Sequence, residues 1–476
     1  MLFNSLEFIY LFLPITLLFF HLLLRREDNS CFYLLIISSL FFYAYWNPIY
    51  LLLLIGSITV NYIIAAQISA SSCRSTLISG VIFNLSLLIY FKYQLFFIDN
   101  FNIVSDSSLV SPNVILPLAI SFFTFQQITY LVDTYRGEIK THDLLKYTLF
   151  VVFFPQLIAG PIVHHREMMP QFFHSTLKLS CCSINVAKGL LLFIVGLFKK
   201  VVIADNIAGY INPLFESSEP LTFLESWTAA IGYTLQIYFD FSGYCEMAMG
   251  LALLFGIKIP INFYSPYKAT NISEFWRRWH ITLGRLLKNY LYIPLGGNHR
   301  NIIHTCFALI VTMLLGGLWH GASWTFVLWG ALHGLFLSIY HLWKRYGFNL
   351  PPFIALGITL FAVIFSWILF RSNSISHAIT IWKSMIGLNG ITLPPFYNDF
   401  LFYFGNVLNY QTSPLISGLE IFIFLVALCF VITQKNIHET IDSFHVSIKS
   451  FSTAAILVFS SIIFINDTSD FLYFNF

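Results

Sequence analysis

The sequence predicts an all-α polytopic integral membrane fold, and three observations carry that prediction. Of 476 residues, 57% are apolar and only 10% are charged, whereas a soluble domain carries about 25% charged residues. Apolar runs suited to spanning or re-entering a bilayer recur from one end to the other. Much of the charge is confined to two stretches between them, 133–183 and 258–300. A chain of this length has room for roughly ten spans of about 20 residues, so it reads as a single intramembrane domain over 1–476.

Taken in order, the runs lie near 6–24, 31–46, 49–69, 77–98, 114–132, 184–204, 227–257, 301–319, 323–343, 353–370, 414–433 and 451–465. Several are short, so the expectation is ten to twelve transmembrane or re-entrant helices. The first run has no basic region before it and no small-residue cleavage site ahead of Arg25 and Arg26, and reads as a retained helix. Cytoplasmic loops carry the excess of Lys and Arg. Arg25, Arg26, Arg74, Arg136, Lys140, Lys146, Lys344, Arg345 and Lys435 then fall inside, and both termini fall outside. Lys199 and Lys200 fit poorly, and imply either pairing within the protein or an irregular span. The 388–413 loop, with Pro394 and Pro395, is long enough to cap an external opening.

The stretches 133–183 and 258–300 read as amphipathic or re-entrant. The second interleaves Lys258, Lys268, Arg277, Arg278, Arg285, Lys288 and Arg300 with Trp276, Trp279, Tyr290 and Tyr292. Rings at headgroup depth with cations above suit the cytoplasmic interface.

Composition also excludes function classes. A net charge of +3 with scattered Lys and Arg lacks the basic stripe of a nucleic-acid binder. Seven cysteines, including adjacent Cys181 and Cys182, form no disulfide framework or CxxC pair. There is no Walker loop, GxGxxG fingerprint or GxSxG elbow, and no permanently bound cofactor is expected.

The residues that can carry chemistry sit where polar groups interrupt apolar sequence. His320 lies in Gly316-Gly317-Leu318-Trp319-His320-Gly321-Ala322-Ser323-Trp324. A buried neutral imidazole there can take a proton from an attacking hydroxyl; equally, it can be a packing histidine beside glycines that serve helix contact. His280 closes Asn271-Ile272-Ser273-Glu274-Phe275-Trp276-Arg277-Arg278-Trp279-His280. Arg277 and Arg278 can hold carrier phosphates by forked hydrogen bonds, or can be interfacial anchors. Ser273 and Glu274 fit a helix start. Asp240, in Tyr238-Phe239-Asp240-Phe241-Ser242, can orient a catalytic histidine, but a structural pairing with an arginine such as Arg277 is favoured. Gln126 and Gln127 line a polar channel or bond between helices. His164, His165, Glu167 and His174 match no standard zinc spacing; they read as a solvated loop, with no metal expected.

These segments resemble the bacterial membrane-bound O-acyltransferase family, most of all its alginate O-acetylating branch. The likeness runs through Ile120-Ser121-Phe122-Phe123-Thr124-Phe125-Gln126-Gln127, Phe154-Pro155-Gln156-Leu157-Ile158-Ala159-Gly160-Pro161 and Gly196-Leu197-Phe198-Lys199-Lys200. It continues through Asp240-Phe241-Ser242-Gly243-Tyr244, Ser265-Pro266-Tyr267-Lys268-Ala269-Thr270, Phe275-Trp276-Arg277-Arg278-Trp279-His280, Tyr292-Ile293-Pro294-Leu295-Gly296-Gly297 and Leu318-Trp319-His320-Gly321.

The resemblance implies helices around a central funnel or tunnel, in a multi-pass protein of the bacterial inner membrane. His320 matches the family's catalytic histidine, toward the outer half, and His280 its second histidine, near the carrier side. Tyr238, Asp240, Ser242, Asn271, Trp276, Arg277, Arg278, Trp319 and Ser323 are the expected donor- and substrate-binding set. An acyl group, acetyl first, would pass from a cytoplasmic thioester such as acetyl-CoA to a hydroxyl of an extracytoplasmic glycan. Transfer would be direct or through a periplasmic partner resembling an SGNH hydrolase. Glu246 stands where the alginate-type pattern has an aspartate, which weakens transfer of that glycan. The D-alanyl branch acting on teichoic acids resembles the chain less well, and a shuttle that does not make the final ester is a further alternative.

Overall fold

A computed structural model describes residues 1–110, 114–139, 142–298, 301–395, 413, 415–465 and 471–472. Lys140 and Arg300, used in the charge pattern, and residues 396–412 of the proposed external cap lie outside them. Among the described residues there are helices of seven residues or more at α1 (Leu13–Leu23), α2 (Ser30–Ala44), α3 (Ile49–Ser71), α4 (Arg74–Ser105), α5 (Ile120–Tyr135), α6 (Leu144–Val152), α7 (His174–Ser180), α8 (Ser183–Phe198) and α9 (Asp205–Phe215). They continue with α10 (Phe223–Leu254), α11 (Ile272–Arg278), α12 (Ile281–Leu287), α13 (Ile302–His320), α14 (Trp324–Arg345), α15 (Pro352–Arg371), α16 (Ile375–Met385), α17 (Leu419–Thr433) and α18 (Ile448–Phe464).

Each of the twelve apolar runs is helical, but fewer cross a bilayer than the pattern suggests. Six helical stretches are long and apolar enough, namely α3, α4, α13, α14, α15 and the stretch Leu419–Ser443 that begins with α17. A seventh is available if α7 and Ser183–Phe215, bent by 74° at their junction, count as one broken span. The runs at Phe8–Leu23, Ser30–Ala44 and Ile448–Phe464 are shorter. Helix α10 is 32 residues long yet is buried along most of its length and carries Glu225, Asp240 and Glu246, as suits a helix packed in protein instead of lipid.

The chain forms two compact units. The first comprises residues 1–198, 244–261 and 444–475. Its interior is tied by side-chain amides: Asn61 and Asn84 bond reciprocally between α3 and α4, and Gln127 donates to Ser57 while accepting from Tyr147. Gln126 donates to the Phe150 carbonyl. Of the two readings of the glutamine pair, hydrogen bonding between helices is therefore the observed one. Within 133–183, α6 buries Tyr147 and Leu149 to Val152, so that part of the stretch is core and not an interfacial surface.

The second unit comprises residues 199–243 and 262–443. Its framework is the hairpin of α13 and α14, where glycines let the backbones meet. A Cβ on Gly317 would lie 2.2 Å from the Phe326 carbonyl oxygen, and one on Gly330 2.2 Å from that of Met313. Gly334 faces the Ile310 backbone in the same way. Small residues in a membrane helix permit such approach, and dispersion across the seam supplies the attraction that lipid cannot. The hairpin turns because Gly321 is extended and Ser323 caps α14, its hydroxyl accepting from the Thr325 amide.

Gly330→Ala forces the seam apart and is expected to lower stability by about 1–3 kcal/mol. Thermal unfolding in detergent measures it. Gly56→Ala, where nothing lies within 4 Å of the added carbon, should be neutral or slightly stabilising.

Candidate active site

The α13–α14 turn fixes His320 as the last residue of α13, 4% exposed. Its ring is walled by aromatics. Centroid distances are 5.0 Å to Trp319, 5.2 Å to Trp329, edge to face at 89°, and 5.3 Å to Phe370 of α15. Phe326 closes on Phe370 at 4.9 Å.

His280 stands 6.3 Å from His320, ring to ring, and 6.1 Å from Trp319. The expectation that the two histidines lie toward opposite sides is thus corrected. They share one chamber, because the break between α11 and α12 turns the chain inward at His280. That residue is left-handed, with φ 44° and ψ 52°, a backbone that costs a non-glycine residue about 1–2 kcal/mol. Asn262 offsets the strain. Its Oδ1 accepts from the Thr282 amide at 3.2 Å and the Thr282 hydroxyl at 2.9 Å, and its carbonyl accepts from the Ile281 amide.

Because the Thr282 amide can only donate, the Asn262 atom it meets is the oxygen. The His280 Nδ1 that lies 3.2 Å from this oxygen must therefore donate, which fixes the proton on Nδ1 and leaves a lone pair on Nε2. Burial pushes the His280 imidazole down to about 3, so it is neutral at physiological pH.

The other expected residues divide. Trp319 joins the chamber directly. Tyr238 packs on Phe239, Phe263, Tyr267 and Trp279, with the Lys199 ammonium 5.8 Å above its ring. Ser242 is buried, with no hydrogen-bond partner for its hydroxyl among the described residues. Trp276 is half-buried and Arg277 exposed. Arg278 is held by Glu274, at 2.8 and 3.0 Å, and donates to the Tyr264 carbonyl; it is thereby committed to the fold. Asn271 and Ser323 cap α11 and α14, and Glu274 binds back to Thr270, so that segment does open a helix.

Asp240 has a partner that was not anticipated. Lys200, 1% exposed, reaches its carboxylate at 2.7 Å and that of Asp205 at 2.9 Å. The pairing with Arg277 is corrected to Lys200, and Asp240 does not orient His320 through any contact seen. Both explanations offered for the misplaced lysines hold at once, since Lys199–Ala204 is a π-helical turn and Lys200 is paired within the protein.

Sequence reasoning missed Asn262, Trp329, Phe370 and His333. The last, fully buried on α14, accepts from the Trp276 indole at 3.3 Å. It carried a signal, as an ionisable side chain within a predicted span. The others look like ordinary members of apolar or mixed sequence. The solvated-loop reading of His164 and His165 is also corrected: both rings close on buried Asp133, at 2.8 and 3.3 Å. The three lie close enough to share a cation. However, His164 Nδ1 accepts from the Arg166 amide, so Nε2 carries the proton and donates to Asp133. A metal-bound histidine would use its second nitrogen as a donor.

Comparison with known proteins sets this geometry in context. Residues 101–378 match the model of the membrane-bound O-acyltransferase family. The chain is 45% identical to a peptidoglycan O-acetyltransferase of Helicobacter pylori, covering 83% of this chain and 81% of that protein. It is 40% identical to a probable alginate O-acetylase of Pseudomonas aeruginosa, covering 81% and 75%. A teichoic acid D-alanyltransferase of Bacillus subtilis is more distant, at 25% over 56% of this chain and 71% of that protein.

Two measurements probe the buried groups. Lys200→Met leaves Asp240 buried without its cation and should cost about 3–5 kcal/mol of stability; adding Asp240→Asn should restore most of it, as read by thermal unfolding. For His280, the folded value of about 3 lies below the ordinary 6.5, so the unfolded chain takes up the proton first. Its contribution is complete above about pH 6.5 and falls as pH drops toward 3. The unfolding temperature of His280→Asn, a residue that tolerates the left-handed backbone, should therefore decline less over that window than that of the native protein.

Proposed function

The chain belongs to the membrane-bound O-acyltransferase family and is an acyltransferase; from that premise we propose that it moves acetyl from a cytoplasmic thioester, acetyl-CoA, toward hydroxyls of an envelope or exported polysaccharide. The observation that carries the reading is the enclosed pair of His280 and His320, 6.3 Å apart within aromatic walls. The O-acetylation named for two relatives at 45% and 40% identity supports the acyl group and the class of acceptor, and sets D-alanyl transfer behind them.

His320 acts as general base. As the acceptor oxygen attacks the thioester carbonyl, its proton passes to the imidazole; the tetrahedral intermediate collapses with loss of the thiolate, which takes the proton from the imidazolium. Such help contributes about 10²–10⁴-fold, so positioning and stabilisation of the oxyanion supply the rest. His280 is too weakly basic to hold a proton at neutral pH, and positions the reacting groups through its Nε2 side. Arg277, exposed beside half-buried Trp276, is the free cation that suits the donor's phosphates. Arg278 is already held by Glu274.

The enclosure of His320 favours relayed transfer. A polymer needs an open cleft, whereas a chamber walled by Trp319, Trp329 and Phe370 admits a single small group. The acceptor at His320 is then a carrier hydroxyl of an SGNH-hydrolase-like periplasmic partner, which makes the final ester. The protein sits in the bacterial inner membrane with both termini extracytoplasmic, following its distribution of Lys and Arg.

His320→Ala, at normal expression, should abolish base-labile acetyl esters on the envelope or exported glycan. Undiminished ester content removes His320 from the mechanism. Reconstitution with acetyl-CoA and an oligosaccharide separates the routes: ester formation without a partner excludes the relay.

A further inference from the structure

We propose that His333 is a positioning residue for acyl transfer, holding the Trp276 indole of the donor-side segment against Trp329, the ring that walls His320. The proposal rests on the acyl-transfer reading above, and its geometry is independent of it.

His333 is 0% exposed, and both ring nitrogens are engaged. The Trp276 indole N–H can only donate, so His333 Nδ1, 3.3 Å away, accepts. On the far side His333 Nε2 lies 2.9 Å from the Ser366 hydroxyl. That hydroxyl gives its single proton to the Val363 carbonyl at 2.8 Å, so its oxygen accepts and Nε2 donates. The tautomer is set from both ends as the neutral Nε2–H form. With no nitrogen left for a substrate, His333 cannot be a second base, and what remains is placement.

What it places is a line of rings. Trp329 and His333 are four residues apart on α14 and so share a face, with centroids 4.9 Å apart. Trp276 meets His333 at 5.2 Å and Trp329 at 5.8 Å. Trp329 in turn meets the His320 ring edge to face at 5.2 Å. The segment carrying exposed Arg277 is thereby tied, through one hydrogen bond and two ring contacts, to the wall of the catalytic histidine. Helices α14 and α15 supply the fixed side of that tie through His333 and Ser366.

Two near-isosteric substitutions separate the two bonds. His333→Asn puts an amide oxygen where Nδ1 stands and keeps the acceptor for Trp276, while losing the reach to Ser366. His333→Gln carries an amide N–H to Ser366 and leaves Trp276 without its acceptor. In steady-state assays with acetyl-CoA, His333→Gln and Trp276→Phe should each lower kcat/KM for the donor roughly tenfold, without raising KM for the acceptor. His333→Asn should stay near the native value, and Trp276→Phe combined with His333→Gln should be no worse than either alone. Equal losses in the Asn and Gln variants, or additive losses in the double variant, overturn the proposal.

A second readout needs no turnover. The ultraviolet resonance Raman band that reports indole N–H hydrogen bonding, assigned to Trp276 by subtraction of the Trp276→Phe spectrum, should shift in His333→Gln and not in His333→Asn. An unshifted band in His333→Gln overturns the placement. If native protein transfers no acetyl but the band behaves as stated, the acyl-transfer reading fails while the tie between His333 and Trp276 stands.

Discussion

Two helices inside a bilayer gain nothing from excluding water from each other, so what brings them together has to be closeness itself. The seam between α13 and α14 meets that requirement with glycine, Gly317 against the Phe326 carbonyl and Gly330 against that of Met313. Everything said about His320 follows from it. The residue sits at the end of the first helix, three positions beyond one of those glycines, while Trp329 and His333 project from the second beside the other. A seam wider by a methyl group would draw the Trp329 wall away from the imidazole.

The second unit also shows how a low-dielectric interior sorts its polar groups into two kinds. One kind is charged and paired: Lys200 lies between Asp240 and Asp205, where desolvation is offset by two carboxylates at hydrogen-bond distance. The other kind is neutral and fixed in tautomer. His280 is oriented by Asn262, and His333 by Trp276 and Ser366. The reaction chamber draws on the neutral kind, and the ion pair is not among the contacts of either catalytic-chamber histidine described here. That separation lets a general base work at neutral pH without a formal charge close enough to bias it.

How much of this could be read beforehand differs by level. The helices were legible, since apolar runs in a chain with so few charges have no other stable conformation in lipid. How many of them cross was not, because a run such as 31–46 looks alike whether it faces lipid or protein, and α10 is apolar around its acids for the second reason. His280 and His320 were both visible as interruptions of apolar sequence. Their meeting was not: forty residues separate them, and what joins them is a left-handed residue and an asparagine without any local signature. Asp240 shows the same limit, because its cation lay in a turn of irregular helix that charge counting could only mark as misplaced.

That irregular turn has a consequence for how this part of the chain can change. A π-turn such as Lys199–Ala204 holds one residue more than the α-helical turn it replaces. Removing any one residue from it would restore regular winding and rotate all that follows, as far as Phe215, by about 100° about the helix axis. Asp205 would swing away from the Lys200 ammonium without a single side chain having been altered. In this segment, then, length is a chemical variable: single-residue insertions and deletions act there as charge mutations, and an alignment that treats them as neutral gaps will misjudge which carboxylates the buried lysine keeps.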